Sequence, residues 1–342
     1  MPNLRNVLLL LTVTWQNLVA ASETPSCGVA MARSFLTLDN TLFGPRIEAA
    51  SVSDQSSDIE QKVFFGDPNS TFNGMRFLPS LGESVRALAA DPTKGQVLQI
   101  DKCAPDGKST SQVFCKDAEM VEPNDLAVAY LAGRVYLSGQ NYDADTEVGD
   151  GDLWMCQAPA SFLDTAGSAI KEPVKAIRLG VFGRTNGIEV SPDEKTLYLS
   201  EAFNSNGSVV SNKIWKFEID PATGLVSNKA LFVDFQVLDG TGDVDVDGMR
   251  VDVDGNLFVT RNGAGQVLKF SSEGEVLLRI NLEGIVEATN LEFGGPVGKS
   301  LIVLGKCDDG SPWSEGKGCA NIWEGNPSPG HAFHVLKYIT AY

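Results

Sequence analysis

Five times between residues 73 and 293 a small polar pair opens an alternating apolar run. The copies are Asn73-Gly74-Met75-Arg76-Phe77, Asn124-Asp125-Leu126-Ala127-Val128, Asn186-Gly187-Ile188-Glu189-Val190, Asp247-Gly248-Met249-Arg250-Val251 and Asn290-Leu291-Glu292-Phe293. A weaker copy sits at Ile47-Glu48-Ala49-Ala50-Ser51-Val52. Most copies continue through a turn into an aromatic or β-branched strand, such as Thr196-Leu197-Tyr198-Leu199 or Asn256-Leu257-Phe258-Val259. The period is roughly 25–60 residues, with three or four strands in each copy and few helix signals. One such small sheet cannot bury both of its faces, so neighbours must stack around an axis. The expectation is an all-β chain, a six-bladed β-propeller forming a single domain over residues 27–342. A sandwich would not return the polar pair at equivalent places, and a β-helix needs much shorter repeats.

The fourth copy lies in an aspartate-rich run, Asp243 to Gly263, that supports two structures. As an EF-hand loop, Asp243, Asp245 and Asp247 would fill the first three ligand positions and Gly248 the invariant glycine. As a hairpin, Val246, Met249, Val251 and Val253 alternate along a strand, Asp254-Gly255-Asn256 turns, and Leu257 to Thr260 returns. An EF-hand needs a helix on each side, and Leu257 to Phe270 has no helical period. Position 12 is Asp254 instead of the bidentate Glu. The hairpin is the expected form, with one aspartate at a strand start free to bind a metal.

In a propeller, the residues that start the innermost strands converge on one mouth of the central channel. Here they are Asn73, Asn124, Asn186, Asp247 and Asn290, with Glu48 in the weak copy. Amide and carboxylate oxygens are hard ligands that suit Ca²⁺ better than zinc or copper. The competing explanation is that Asn and Asp at strand starts merely serve turns. Gln140, Asn141, Glu201 and Arg261 follow second strands and are candidates to line the pocket, with surface or inter-blade roles as the alternative.

Composition narrows the chemistry. A net charge of −17 argues against nucleic acid, which needs Lys/Arg stripes. With only two histidines, His331 and His334, a Ser-His-Asp or Cys-His nucleophile is poorly supported. Gly263-Ala264-Gly265 follows no strand-to-helix pattern, so a dinucleotide site is weak.

The N-terminus reads as a secretory signal over residues 1–22. Arg5 is the basic region, Val7 to Trp15 the apolar core, and Val19 to Ser22 the small residues of a cleavage site. No other stretch is long and apolar enough to span a bilayer. The even count of six cysteines suits three disulfides in an oxidising compartment. Short polar loops suggest the pairs Cys103/Cys115 and Cys307/Cys319, leaving Cys27 with Cys156. Asn69-Ser70-Thr71 and Asn206-Gly207-Ser208 are glycosylation sequons.

Several blocks resemble the senescence marker protein / gluconolactonase / luciferin-regenerating enzyme family. Thr185-Asn186-Gly187-Ile188 with Ser191-Pro192-Asp193 and Thr196-Leu197-Tyr198-Leu199 is similar to one family block. Asp247-Gly248-Met249 with Val253-Asp254-Gly255-Asn256-Leu257-Phe258-Val259 is similar to another. Asn290-Leu291-Glu292-Phe293-Gly294-Gly295-Pro296 and Pro123-Asn124-Asp125 match two further blocks, and together the likeness covers most of residues 73–305. The resemblance implies a six-bladed propeller with a divalent cation, usually Ca²⁺ and alternatively Mg²⁺ or Zn²⁺, at the central mouth. It implies hydrolysis of a small-molecule lactone or ester. Asn186 and Asp247 would be metal ligands, and Asn124 a ligand or substrate contact. The family's remaining ligand is a Glu preceding Gly-Pro. In this chain the acid follows Gly44-Pro45, so Glu48 is the candidate.

The mechanism that follows has Asp247 activating water as base, or attacking directly, while the ion polarises the carbonyl. Gln140, Asn141 and Arg261 join Asn124 as candidate substrate contacts. The reading is a secreted, metal-dependent lactonase. A propeller that binds a ligand or protein without turnover and a strictosidine-synthase-like enzyme are the alternatives.

Overall fold

The computed structural model describes residues 4–7, 36–38, 46–52, 59–67, 69–79, 85–102, 110–159, 170, 172–310 and 318–339, with residues 4–7, 36–38, 46–52 and 59–64 described by their backbone pairing. Nearly all regular structure is strand, as the short β-branched and aromatic runs require.

The repeats become antiparallel meanders. Met75–Leu78, Val85–Asp91, Gln96–Lys102 and Thr110–Lys116 form the first. Pro123–Ala129, Arg134–Gln140, Gly151–Gln157 and Val174–Phe182 form the second. The third runs Arg184–Val190, Thr196–Ser205, Ser208–Ile219 and Val226–Asp234. The fourth is Asp245–Val251, Leu257–Asn262, Gln266–Phe270 and Val276–Asn281. Ile285–Gly294, Ser300–Cys307 and Gly318–Glu324 follow, and Leu4–Val7 lies antiparallel to the last of these. Arg46–Val52 pairs with Leu36–Leu38 on one side and Ile59–Gly66 on the other.

The core lies between consecutive meanders. Leu88 and Val97 of the first pack with Leu126, Val128 and Leu137 of the second. Ala127 and Tyr136 pack with Ile188, Leu197 and Phe217 of the third. Tyr198 and Ile214 then meet Met249, Leu257 and Phe270, and Phe258 and Val267 meet Leu291, Phe293 and Trp323. Each meander thus buries one face against its predecessor and the other against its successor, which is a propeller arrangement. Because both faces are covered, the inner strands are buried almost throughout.

The aspartate-rich run takes the hairpin form. Asp245–Val251 pairs antiparallel with Leu257–Asn262, and Gly255 turns the chain at φ 83°. The C-terminal segment packs against the far end of the strand Asp245–Val251. Gly330 bridges to Asp252, Val253 N–H donates to the Pro329 carbonyl, and the helix His331–Ile339 lays Ala332, Val335 and Leu336 on the first core cluster.

Two disulfides are present among the described residues. Cys307–Cys319 is as expected, spanning neighbouring strands with a Cα separation of 5.1 Å. The other expected pairs are overturned: Cys115 bonds Cys156 instead of Cys103, so Cys156 is not Cys27's partner. The reason is tertiary. The edge strand of the first meander pairs in parallel with Val174–Phe182, placing Cys115 opposite Val174, while Cys156 stands opposite Ala176 on the other side of the same strand. A loop-closure argument along the sequence does not see this pairing between meanders. Cys27 and Cys103 lie outside the described residues.

Candidate active site

The polar pairs that open the inner strands do more than start them. Register shifts fall between Thr185 and Ile188, between Val246 and Met249, and between Ala288 and Asn290. These irregularities sit on the Asn186-Gly187 and Asp247-Gly248 pairs and beside Asn290. Bulges of this kind re-aim side chains at sites. The glycines have a second purpose. A Cβ at Gly187 would lie 2.1 Å from the Asp247 carbonyl oxygen, and one at Gly248 would lie 2.2 Å from Asn290 Oδ1. Neighbouring inner strands therefore touch backbone to backbone where the polar side chains start.

Hydroxyls stitch the same level. Ser138 Oγ donates to the Asn186 carbonyl at 2.5 Å and accepts from Asp125 N–H at 3.2 Å. Thr260 Oγ1 bridges the carbonyls of Gly248 and Thr289 at 3.2 and 3.3 Å. Gly74 N–H donates to the Asn124 carbonyl at 2.7 Å. These contacts bring Asn73, Asn124, Asn186, Asp247 and Asn290 to one level, on or just before neighbouring strands.

Asn186 is 7% exposed, and its Oδ1 is buried with no hydrogen-bond partner. A buried acceptor left unpaired costs about 1–3 kcal/mol, so this oxygen fits a cation ligand. Asp247 beside it is half-buried, with Asn262 Nδ2 at 3.4 Å from Oδ2. Asn124 is buried. The backbone of Glu48 shows a register shift, between Ile47 and Glu48, but its side chain lies outside the described part of the structure. Among the described residues no three His, Cys, Asp or Glu side chains gather at metal-ligating distance.

The pocket-lining candidates have mixed surroundings. Gln140 Oε1 accepts from Arg184 Nη1 at 3.1 Å, and Asn141 is exposed. Glu201 accepts from Gly183 N–H and Trp215 Nε1. Arg261 is buried against the Phe235 ring, 3.5 Å from its centroid, and donates to the carbonyls of Thr241 and Val244. Burial pulls its pKa down to about 10.

Below the mouth lies a buried ion network that strand-start reasoning missed. Asp125 Oδ1 is 3.2 Å from Arg76 Nη1, and its Oδ2 is 3.7 Å from Arg250 Nη1. Arg76 also lies 3.7 Å from Glu189, and Arg250 Nε bonds Glu292 at 2.8 Å. Burial pushes the Glu189 carboxyl up to about 7 against the pull of Arg76 and Arg250. The sequence did carry a signal. Each of these groups is one to three residues past a mouth residue, and a charge in an otherwise apolar inner strand needs a partner. Above the mouth a second pair, Arg184 and Asp245, closes at 2.5 Å.

With this geometry in place, comparison with known proteins is informative. The family description SMP-30/Gluconolactonase/LRE-like region matches residues 49–305. The gluconolactonase of Zymomonas mobilis is 28% identical over 221 residues, 62% of this chain and 54% of that protein. The matched stretches span 36% to 54% of the length of the curated relatives. A solved luciferin-regenerating enzyme superposes with a TM-score of 0.59 at 17% identity, covering 88% of this chain and 95% of that one. A calcium-binding protein, regucalcin, from Agrobacterium tumefaciens gives 0.58 at 16% identity, covering 88% and 94%. At these identities the two structures establish likeness of fold.

Proposed function

This chain belongs to the SMP-30/Gluconolactonase/LRE-like family, and on that premise we propose that it is a secreted lactonase that uses a divalent cation in the mouth of a six-bladed propeller. The observation that carries the reading is the unpartnered Asn186 Oδ1 set against Asp247. Asn186 and Asp247, with Asn124 and Glu48, would hold the ion. Amide and carboxylate oxygens favour Ca²⁺, or Mg²⁺, over Zn²⁺. The gluconolactonase relative supports a small lactone as substrate. A bound cation supplies Lewis acidity, polarising the lactone carbonyl and stabilising the oxyanion.

The chain's own residues do the rest. Asp247 takes a proton from water as that water adds to the carbonyl carbon. When the ring C–O bond breaks, the proton passes to the departing oxygen and a hydroxy acid leaves. Asn124, Gln140, Asn141 and Arg261 are the residues assigned to orient the substrate in this reading. Arg76, Asp125, Glu189, Arg250 and Glu292 form a buried ion network beneath these residues.

Secretion is supported by the apolar leader and by the two disulfides. Both sequon asparagines, Asn69 and Asn206, are exposed at turns, which suits glycosylation. Leader removal after residue 22 would take away the strand Leu4–Val7, and N-terminal sequencing of the exported protein reads this directly.

The test is hydrolysis of a panel of small lactones before and after chelation, with Ca²⁺, Mg²⁺ or Zn²⁺ returned singly. Activity lost to chelator and restored by one ion supports the lactonase and names the metal. A folded protein that turns over no lactone with any ion overturns it in favour of a binding propeller.

A further inference from the structure

The strands that carry Asn186 and Asp247 belong to different sheets and share no ladder hydrogen bonds. Something other than backbone pairing must fix the distance between their side chains. Arg184 and Asp245 stand two residues ahead of Asn186 and Asp247, at matching positions on the two strands. Arg184 is 1% exposed although it is among the largest side chains in the molecule. Its Nη2 meets Asp245 Oδ2 at 2.5 Å and Asn204 Oδ1 at 3.3 Å, and its Nη1 donates to Gln140 Oε1 at 3.1 Å. The Tyr142 ring covers the guanidinium at 4.5 Å. Asp245 is engaged on its other oxygen too, where Asn212 Nδ2 donates at 2.6 Å. One planar fork thus ties four strands directly and a fifth through Asp245, and a guanidinium holds such geometry more rigidly than an ammonium.

We propose that Arg184 and Asp245 form a positioning clamp that sets the spacing of Asn186 and Asp247 and so governs cation affinity at the mouth. The proposal rests on the cation-dependent reading above, and it assigns the aspartates of the run different tasks. Asp245 is consumed by the clamp, and Asp247 is the one presented to the ion.

A charge effect and a positioning effect predict opposite patterns. If Asp245 and Arg184 acted only through their charges, Asp245→Asn would weaken cation binding and Arg184→Met would strengthen it. A clamp predicts that both weaken it, by about 10-fold or more, as outer-shell partners of metal ligands do. The double variant should be no worse than the weaker single, because either change alone opens the clamp. Arg184→Lys keeps the charge but can satisfy only part of the fork, so it should fall between Arg184→Met and the parent. It also serves if Arg184→Met does not fold. The measurement is Ca²⁺ titration calorimetry on the full chain, with thermal melts to confirm folding. Tighter binding in Arg184→Met, unchanged affinity in the singles, or losses that add in the double variant overturns the clamp while leaving the lactonase intact. A parent protein that binds no divalent cation overturns both.

Discussion

The two ends of the strand Asp245–Val251 contrast a buried aspartate that has a full set of partners with, near the other end, a buried amide oxygen that has none. At the far end Asp252 is fully buried and saturated. It accepts from Asp254 N–H, from the backbone and side chain of Asn256, and from Asn326 Nδ2, and it pairs with Lys269 at 3.1 Å. At the mouth end Asp247 is half-buried and the neighbouring Asn186 oxygen has no donor. A saturated polar group holds a structure together, whereas a buried acceptor left open is a cost retained for a ligand. Asp247 and Asp252 lie five positions apart in one aspartate-rich run, yet they serve different purposes. Burial separates them, Asp252 being fully buried and Asp247 half-buried.

Removing the saturated end should have the largest effect on folding. Asp252→Ala leaves Lys269 buried without its counter-ion and should cost about 3–5 kcal/mol of stability. Denaturant unfolding reads this, and turnover per folded molecule should hardly change. Asp247→Asn should do the reverse. Turnover should drop by about 10²–10³-fold, or about 3–4 kcal/mol of barrier, with the melting temperature preserved. If Asp247→Asn unfolds the chain, the contrast between the two ends fails.

Smaller effects test the level between them. Burial raises the folded-state pKa of Glu189 from the ordinary carboxylate range to about 7. The neutral acid favours the folded form, so this contribution is complete below about pH 4 and is lost as pH rises through 7. Stability should decline by at most about 3 kcal/mol across that window, and Glu189→Gln should flatten the slope in pH-dependent melts. Gly187→Ala forces a methyl against the Asp247 carbonyl. It should cost about 1–3 kcal/mol of stability and weaken cation affinity as well. Normal affinity in Gly187→Ala would mean that close strand approach does not shape the mouth.

Much of this was legible in the sequence because period-two patterning and the recurrent polar pair are local signals. The hairpin at Asp245–Asn262 followed from alternation plus the Asp254-Gly255-Asn256 turn. The polar pairs could be placed at strand starts because the repeat fixes their phase. Three features were not legible, each for a tertiary reason. The Cys115–Cys156 bond depends on parallel pairing between two meanders. The network of Arg76, Asp125, Arg250 and Glu292 spans 216 positions, from Arg76 to Glu292, and although charges in apolar strands signal a need for partners, no sequence spacing says which of them meet. The glycines after Asn73, Asn186 and Asp247 look like turn residues in the sequence, yet their main effect is to admit the neighbouring strand.

The most direct test is calorimetric titration of Ca²⁺ into the parent protein and Asn186→Ala, each first stripped of metal. Loss of most affinity in Asn186→Ala, with a cation-free melting temperature equal to or above that of the parent, is the predicted result. The open acceptor would then be a ligand maintained at the expense of stability. Unchanged affinity with a lowered melting temperature would contradict it and make Asn186 a structural residue.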